Sequence, residues 1–401
     1  MPLSHYAHIF TWPADLGQRI VYSTRTGATA LLPTETLDDI SACRLDDESK
    51  NTLKELNLLV DDLQAERNEA MKMVRQINDL RRAINISVIV TMQCNFRCRY
   101  CYEGSQKGHD LMSEETTEQL VTFVKNKFTP DIERLTLDFY GGEPLLAAKR
   151  IEQIAGALKD FIESQGAMFE FTLVTNGSLL TLEMVQRLLP LGLKRAKITI
   201  DGPLENHNFF RPYKSGQPSF DTIVHNIKQI CGLIQIGVSG NYTKDNFRQF
   251  PALFDHLETF NIGPKDLHRL TFAPVLQTKD EFSAGFCGGC ASVNEKWLGE
   301  AVPFLRGEIM AKRLKTDAIS VALCMVDVDN SCVIHHDGSL YKCVAMICHN
   351  EYACGDIRYG MYDYSQQYQL AHWQKEEKCR ECTYLPLCLR GGRYMALPRD
   401  G

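Results

Sequence analysis

The sequence predicts an α/β fold: an open, partial (β/α)6 barrel, with an α+β domain before it and a cysteine-rich domain after it. Three observations carry this expectation. Between Ile86 and Val275, short apolar or β-branched runs alternate with longer segments of helical period, as in a parallel sheet with crossover helices. Before that stretch, strand-like runs precede helical ones. After it, eight of the 15 cysteines fall between Cys324 and Cys388.

The elements follow in chain order. His8–Trp12 and Arg19–Thr24 read as strands, and Thr26–Leu32 completes a small sheet after a turn at Gly27. Thr34 is expected to cap a first helix, and a second is expected over Glu48–Leu59. A longer helix is expected over Asp61–Ala83, where Leu63, Met73, Val74, Ile77 and Leu80 recur at mostly helical spacing. Barrel strands are expected at 86–93, 134–140, 170–175, 195–201, 235–242 and 268–275. The helices between them are expected at 114–128, 146–165, 181–190, 219–233 and 246–260. These readings divide the chain into 1–84, a barrel over 85–275, a bridge over 276–323 and a cysteine-rich domain over 324–401.

Composition narrows the function. At 401 residues, 44% hydrophobic and 23% charged, the chain is long enough for two or three domains and ordinary for a globular protein. A net charge of −6 with no basic block disfavours nucleic-acid binding. The first residues lack a basic segment followed by an apolar run, and no apolar stretch reaches bilayer length. A cytoplasmic protein without a membrane partner is therefore expected. The cysteines cluster as C-x3-C-x2-C and C-x2-C-x5-C, spacings that suggest metal rather than disulfides.

Chemistry begins at Cys94, Cys98 and Cys101, directly after the Ile86–Thr91 run. Iron–sulfur clusters are held by cysteine thiolates. Three on one loop leave the fourth iron of a [4Fe–4S] cube without a protein ligand, an open position suited to chemistry. A structural cysteine trio or a zinc site is the alternative, but zinc usually takes four ligands in paired motifs and no fourth lies nearby. Further along, Gly141-Gly142-Glu143-Pro144 combines two glycines that admit a ligand to the backbone with a hydrogen-bonding carboxylate. Thr175-Asn176-Gly177 ends the third barrel strand. Thr199-Ile-Asp201-Gly-Pro ends the fourth, followed by His207 and Arg211, and Asn241 lies at the end of the fifth. Chemistry in parallel α/β sheets collects at the carboxyl ends of strands, where these motifs fall.

The three cysteines with Tyr100 before the last resemble the signature of radical S-adenosylmethionine (radical SAM) enzymes, whose core is a TIM-like (β/α)6 partial barrel. The resemblance implies that the open iron is chelated by SAM, and that reductive cleavage of SAM gives a 5′-deoxyadenosyl radical. It implies SAM contacts from Tyr100, Gly141, Gly142, Glu143, Pro144, Thr175, Asn176, Thr199, Asp201, Arg211 and Asn241. Arg211 is then placed on the SAM carboxylate, which a guanidinium binds bidentately. His207 reads as a structural hydrogen-bonder.

The C-terminal cysteines, with Gly338 and Gly355-Asp-Ile357, resemble the SPASM domain, which binds auxiliary [4Fe–4S] clusters. The resemblance assigns Cys324, Cys332 and Cys343 to one cluster and Cys379, Cys382 and Cys388 to the other. The sequence departs from that pattern where a further cysteine is expected, at Gly392; Cys287, Cys290, Cys348 and Cys354 are the possible substitutes. Sulfatase maturases of this type place an aspartate after a cysteine of the first auxiliary motif, where this chain has Val344 after Cys343. The opening residues Met1-Pro-Leu-Ser, His8-Ile-Phe and Tyr22-Ser-Thr-Arg resemble geopeptide-type maturases. Residues 1–84 resemble winged-helix leader-recognition domains, a structural cap on the barrel being the alternative. The expectation is an enzyme that cross-links a ribosomal precursor peptide, most readily as a cysteine thioether, with flavodoxin or ferredoxin as electron donor. A C–C cross-link, formylglycine formation and a non-catalytic Fe–S/SAM-binding sensor are the competing readings.

Overall fold

The computed structural model describes residues 1–76, 82–101, 103, 108–275, 295–319, 324–347, 349–364, 368 and 377–388. The chain forms two compact units, each assembled from separated segments. The first draws on Met1–Arg81, Ala318–Asp329 and Gln369–Arg393, the second on Arg82–Asp317, Asn330–Tyr368 and the C-terminal residues.

In the first unit, β1 (Ala7–Thr11), β2 (Gln18–Ser23) and β3 (Thr29–Pro33) form an antiparallel sheet in that order. Helices α1 (Thr34–Ser41), α2 (Asp47–Glu55) and α3 (Leu63–Arg75) follow. Their core is Val21, Ile40, Leu53, Leu58 and Leu59. Fully burying such a side chain is worth roughly 1.5–3 kcal/mol, so the cluster is what holds sheet and helices together. The expected cap at Thr34 is corrected. Pro33 occupies the N-cap of α1, and the Thr34 hydroxyl instead donates to Gly17 O at 2.9 Å. Asp46 and Asp62 cap α2 and α3, each accepting from backbone N–H groups of the first turn. The helix expected to Ala83 ends at Arg75, and Ala83 opens a strand; Ile77 and Leu80 lie outside the described residues.

Two short helical turns of the cysteine-rich region, Glu377–Arg380 and Leu385–Cys388, belong to this same unit. Arg67 pairs with Glu381 at 2.9 Å, the Thr24 hydroxyl bonds Thr383 O, and His8 lies against Tyr384 with ring centroids 4.2 Å apart.

The second unit alternates as expected: β4 (Ala83–Thr91), α4 (Glu114–Lys127), β5 (Arg134–Gly141), α5 (Ala148–Ser164), β6 (Met168–Thr175), α6 (Leu182–Leu188) and β7 (Leu193–Thr199). It continues through α7 (Leu204–Phe210), α8 (Phe220–Ile230), β8 (Gln235–Tyr242), α9 (Ala252–Thr259) and β9 (Arg269–Pro274). Helix α7 is absent from the sequence expectation: seven residues after Pro203 are too few to show a period. The segment expected as a plain bridge carries α10 (Leu298–Ala311), whose Ala301 and Leu305 pack on Tyr242, Phe247 and Phe250.

Strands β4 to β9 are parallel neighbours in chain order, but the sheet has eight strands. The cysteine-rich region contributes β10 (Ser331–Ile334) and β11 (Leu340–Tyr341). β10 pairs in parallel with β4, Cys332 opposite Ile86, and β11 returns antiparallel. β4 is therefore interior to the sheet, which is why its run from Val88 to Val90 is wholly buried. In β5, Leu135, Leu137 and Phe139 are buried while Thr136, Asp138 and Tyr140 are only partly so. A strand's side chains alternate between faces, so apolar positions meet the helices and polar ones line the other face.

Candidate functional site

A cavity of about 420 Å³ opens at the carboxyl ends of β5 to β9, within the range of small-molecule sites. Eleven expected residues line it: Cys94, Cys98, Tyr100, Cys101, Gly141, Gly142, Thr175, Asn176, Thr199, Arg211 and Asn241. Glu103, Tyr140, Lys197, Ser239, Thr271 and Ala345 join them unforeseen. Alternation supplied a signal for three of these: Lys197, Ser239 and Tyr140 lie two residues before Thr199, Asn241 and Gly142, on the same faces.

The cysteine loop is held from two sides. Arg97 N and Arg99 N donate to Pro212 O and Phe210 O, and Lys214 N donates to Asn95 O. The Arg99 guanidinium lies 4.0 Å over the Phe209 ring. This is the work of the unforeseen helix α7, which delivers residues 209–214 alongside the loop. On the other side, Gly142 N donates to Thr91 O and Glu143 N to Gln93 O. A Cβ on Gly142 would stand 2.1 Å from Gln93 O, so only glycine allows this approach.

Glu143 and Pro144 are placed apart from the other expected residues. Neither lines the cavity, because the Glu143 side chain turns inward and is fully buried. Its carboxylate accepts from Leu145 N at 3.1 Å, the Thr175 hydroxyl at 2.8 Å and Asn176 N at 2.8 Å. It ties the end of β5 to the end of β6. Burial raises its pKa while these hydrogen bonds pull the other way. Asn176 is likewise committed: its Nδ2 donates to Asn95 Oδ1 at 2.8 Å, and its Oδ1 accepts from Ser178.

Asp201 is likewise turned inward. It is fully buried outside the cavity lining and accepts from the Tyr100 hydroxyl and from Asn241 N at 2.8 Å. The Tyr100 hydroxyl in turn accepts from Arg211 Nη1 at 2.8 Å and Asn241 Nδ2 at 2.9 Å. Four expected cofactor contacts thus bond first to one another. Asp201 N donates to His207 Nδ1, which leaves Nε2 to donate to Ser219 Oγ at 3.0 Å; that hydroxyl donates to Arg211 O. Burial, then the charge of Arg211, holds the His207 pKa well below its usual value, so the ring is neutral. Burial raises the Asp201 carboxyl, opposed chiefly by Arg211, and drives the Tyr100 phenol well above its usual range.

These residues fit a cluster with SAM. Cys94 and Cys98 are buried, Cys101 is half-buried, and all three face one cavity. Arg211 keeps a buried Nε with no hydrogen-bond partner among the described residues, on a guanidinium that lines that cavity. Among the described residues, no three His, Cys, Asp or Glu side chains converge on a single metal ion.

Cys324 belongs to the first unit, Cys332 and Cys343 to the second. Cys332 is buried within β10, which pushes its thiol up to about 11. The Cys354 thiol donates to Leu340 O, and burial pushes it up to about 12. Cys379 and Cys382 share a turn, Cys382 N donating to Cys379 O, while Cys388 is exposed. Cys287, Cys290, Cys348 and Gly392 lie outside the described residues.

Residues 88–245 match the radical SAM superfamily. The chain is 24% identical to a cysteine-type anaerobic sulfatase-maturating enzyme of Clostridium novyi, over 75% of this chain and 85% of that one. It spans 66%, 43% and 52% of the length of three other curated relatives. Native anSMEcpe with bound AdoMet superposes with a TM-score of 0.60 at 18% identity, over 77% of this chain and 89% of that one. Streptococcus suis SuiB bound to precursor peptide SuiA superposes with a TM-score of 0.55 at 14% identity, over 99% and 96%. At these identities the two structures establish the shared fold. No helix among the described residues is long and apolar enough to cross a membrane.

Proposed function

We propose that this chain, which carries a radical SAM domain, is a peptide maturase that installs a cross-link, as a cysteine thioether, in a precursor peptide. The observation that supports this most is one cavity at the strand ends in which Cys94, Cys98 and Cys101 face Arg211 and the polar ends of β6 to β8. The three cysteines would hold a [4Fe–4S] cluster, and SAM would take its open iron. Bound together and reduced, they supply a 5′-deoxyadenosyl radical able to take hydrogen from an unactivated C–H.

The chain's own residues bind and orient. Arg211, already fixed through Nη1 to Tyr100, offers Nε to the SAM carboxylate. The Gly141–Gly142 backbone offers close approach, and Thr199 offers a hydroxyl to the ribose. Asn241 spends its amide nitrogen on Tyr100 and Asp201, so it offers its amide oxygen. Val344 and Ala345, the latter in the cavity wall, place no carboxylate after Cys343, which argues against formylglycine formation. The auxiliary cysteines are given no step. Residues 1–84 serve as the leader-binding domain in this reading, and a flavodoxin or ferredoxin supplies the electron. The relatives that support a peptide substrate are the sulfatase-maturating enzyme and the SuiB complex with its precursor peptide.

The test is anaerobic incubation of the cluster-loaded chain with SAM, a strong reductant and the short cysteine-containing peptides encoded beside its gene. A thioether product has lost two hydrogens and one iodoacetamide-reactive thiol; a C–C cross-link loses the hydrogens but keeps the thiol. Absence of 5′-deoxyadenosine with intact cluster and peptide would sink the enzyme reading and favour the sensor.

A further inference from the structure

Lys197 lines the cavity, yet neither the sequence motifs nor the SAM contacts account for it. It sits on β7 two residues before Thr199, on the same face, and its side chain is exposed into the cavity. The strand register sets its surroundings. Thr199, Ser239 and Thr271 stand level across β7, β8 and β9, a row of hydroxyls that all line the cavity. One step deeper, Lys197 is level with Val174 on one side and Gly237 on the other. Val174 has no polar group to give it. Gly237 has no side chain, and no side-chain atom comes within 4 Å of where its Cβ would be. Among the described residues, neither strand neighbour offers the lysine a polar side chain.

The other cations of this face are matched. Arg195 pairs with Glu170 at 2.9 Å, and Arg269 with Asp317 at 3.0 Å. Thr271 also gives its hydroxyl to Asp317 at 2.9 Å. Lys197 takes part in no hydrogen bond or ion pair among the described residues. Asp138, the anion that feels its charge, is hydrogen-bonded by Thr172, and burial raises its carboxyl against the pull of Arg195 and Lys197. An ammonium with no ion pair among the described residues, lining the same cavity as the Ser239 hydroxyl of the neighbouring strand, is a site for one anionic group.

We propose that Lys197, with Ser239, forms a subsite for a carboxylate of the substrate peptide, either an acidic side chain near the modified residue or the C-terminus. The inference rests on the peptide-maturase reading and adds a rule of substrate choice to it. Arg211 remains the residue for SAM, so the lysine selects rather than activates.

The experiment uses the full chain, loaded with cluster and SAM, to select from displayed random peptides with free or amidated C-termini. The wild-type chain is expected to enrich an acidic residue at one position. Lys197→Gln should lose that preference, and Lys197→Glu should replace it with a basic one. A lost charge-assisted contact predicts a change of about ten- to a hundredfold in affinity for the selected peptide. Enrichment confined to free C-termini identifies the terminal carboxylate as the source. Peptides enriched without an acidic preference, or a preference unchanged in Lys197→Glu, overturn the subsite and leave the peptide reading standing. No enrichment at all overturns both. A tenfold loss of SAM affinity in Lys197→Gln would assign the lysine to SAM and also overturn the subsite.

Discussion

Glu143 shows how one buried carboxylate can organise a site it does not enter. It joins the turn after β5 to the end of β6 by accepting from two backbone N–H groups and one hydroxyl. Glu143→Ala would strand those donors in a water-free pocket, at about 1–3 kcal/mol for each one left unsatisfied. We expect a loss of about 2–4 kcal/mol in chemical denaturation, with Glu143→Gln intermediate because its amide keeps one acceptor oxygen. His207 gives a pH signature. Its folded pKa lies well below that of the unfolded chain, so on acidification the unfolded chain binds a proton that the folded chain refuses. Its contribution therefore favours folding above about pH 6.5 and is lost as pH falls below that value, by up to about 1.4 kcal/mol per pH unit. Urea midpoints between about pH 5 and 7 should fall in the wild type and flatten in His207→Asn. An unchanged slope would remove His207 from the account.

At the scale of elements, the site is made where segments approach too closely for ordinary side chains. The turn at Gly141–Gly142 lies on the backbone of residues 91–93, which leads directly into the cysteine loop. Gly142→Ala must push that turn off Gln93 O. The expected result is an SAM affinity at least about tenfold lower in equilibrium binding, since even a displacement of about 1 Å is felt strongly at a preorganised site. Far-ultraviolet circular dichroism should show the sheet retained. Gly240 is a second such contact: a Cβ there would stand 2.4 Å from Ile200 O, between β7 and β8. Helix α7 belongs to the same class of determinants, because its C-terminal segment supplies the backbone partners of the cysteine loop.

Across the whole molecule, neither unit is a single stretch of sequence. The first gathers three separated segments, and Glu377–Cys388 is fastened there to residues 5–67 by the Arg67–Glu381 pair, Thr24 and His8. Removing residues 1–76 should therefore speed amide hydrogen exchange at Cys382, Leu385 and Cys388 by at least about tenfold. Amides of β5 to β8 should keep their protection, because their ladder partners all lie in the second unit. Protection unchanged at all three amides would show that the turn holds itself.

The barrel alternation, the strand-end motifs and the cysteine trio are legible in the amino-acid order, because each is local. Period-two and period-3.6 patterning record which face of an element is buried, and C-x3-C-x2-C records three ligands on one loop. Contacts between distant segments left no such trace. The motif around Glu143 does not say that its carboxylate turns away from the cavity, since besides Leu145 N its donors are the Thr175 hydroxyl and Asn176 N, more than thirty residues later. Nothing near Cys332 says that its strand pairs with β4. The hydrogen-bond hub on Tyr100 joins residues up to 141 positions apart. These are set by contacts between distant segments, because unmet buried donors and acceptors are satisfied by whatever the fold brings beside them, whatever their distance along the chain.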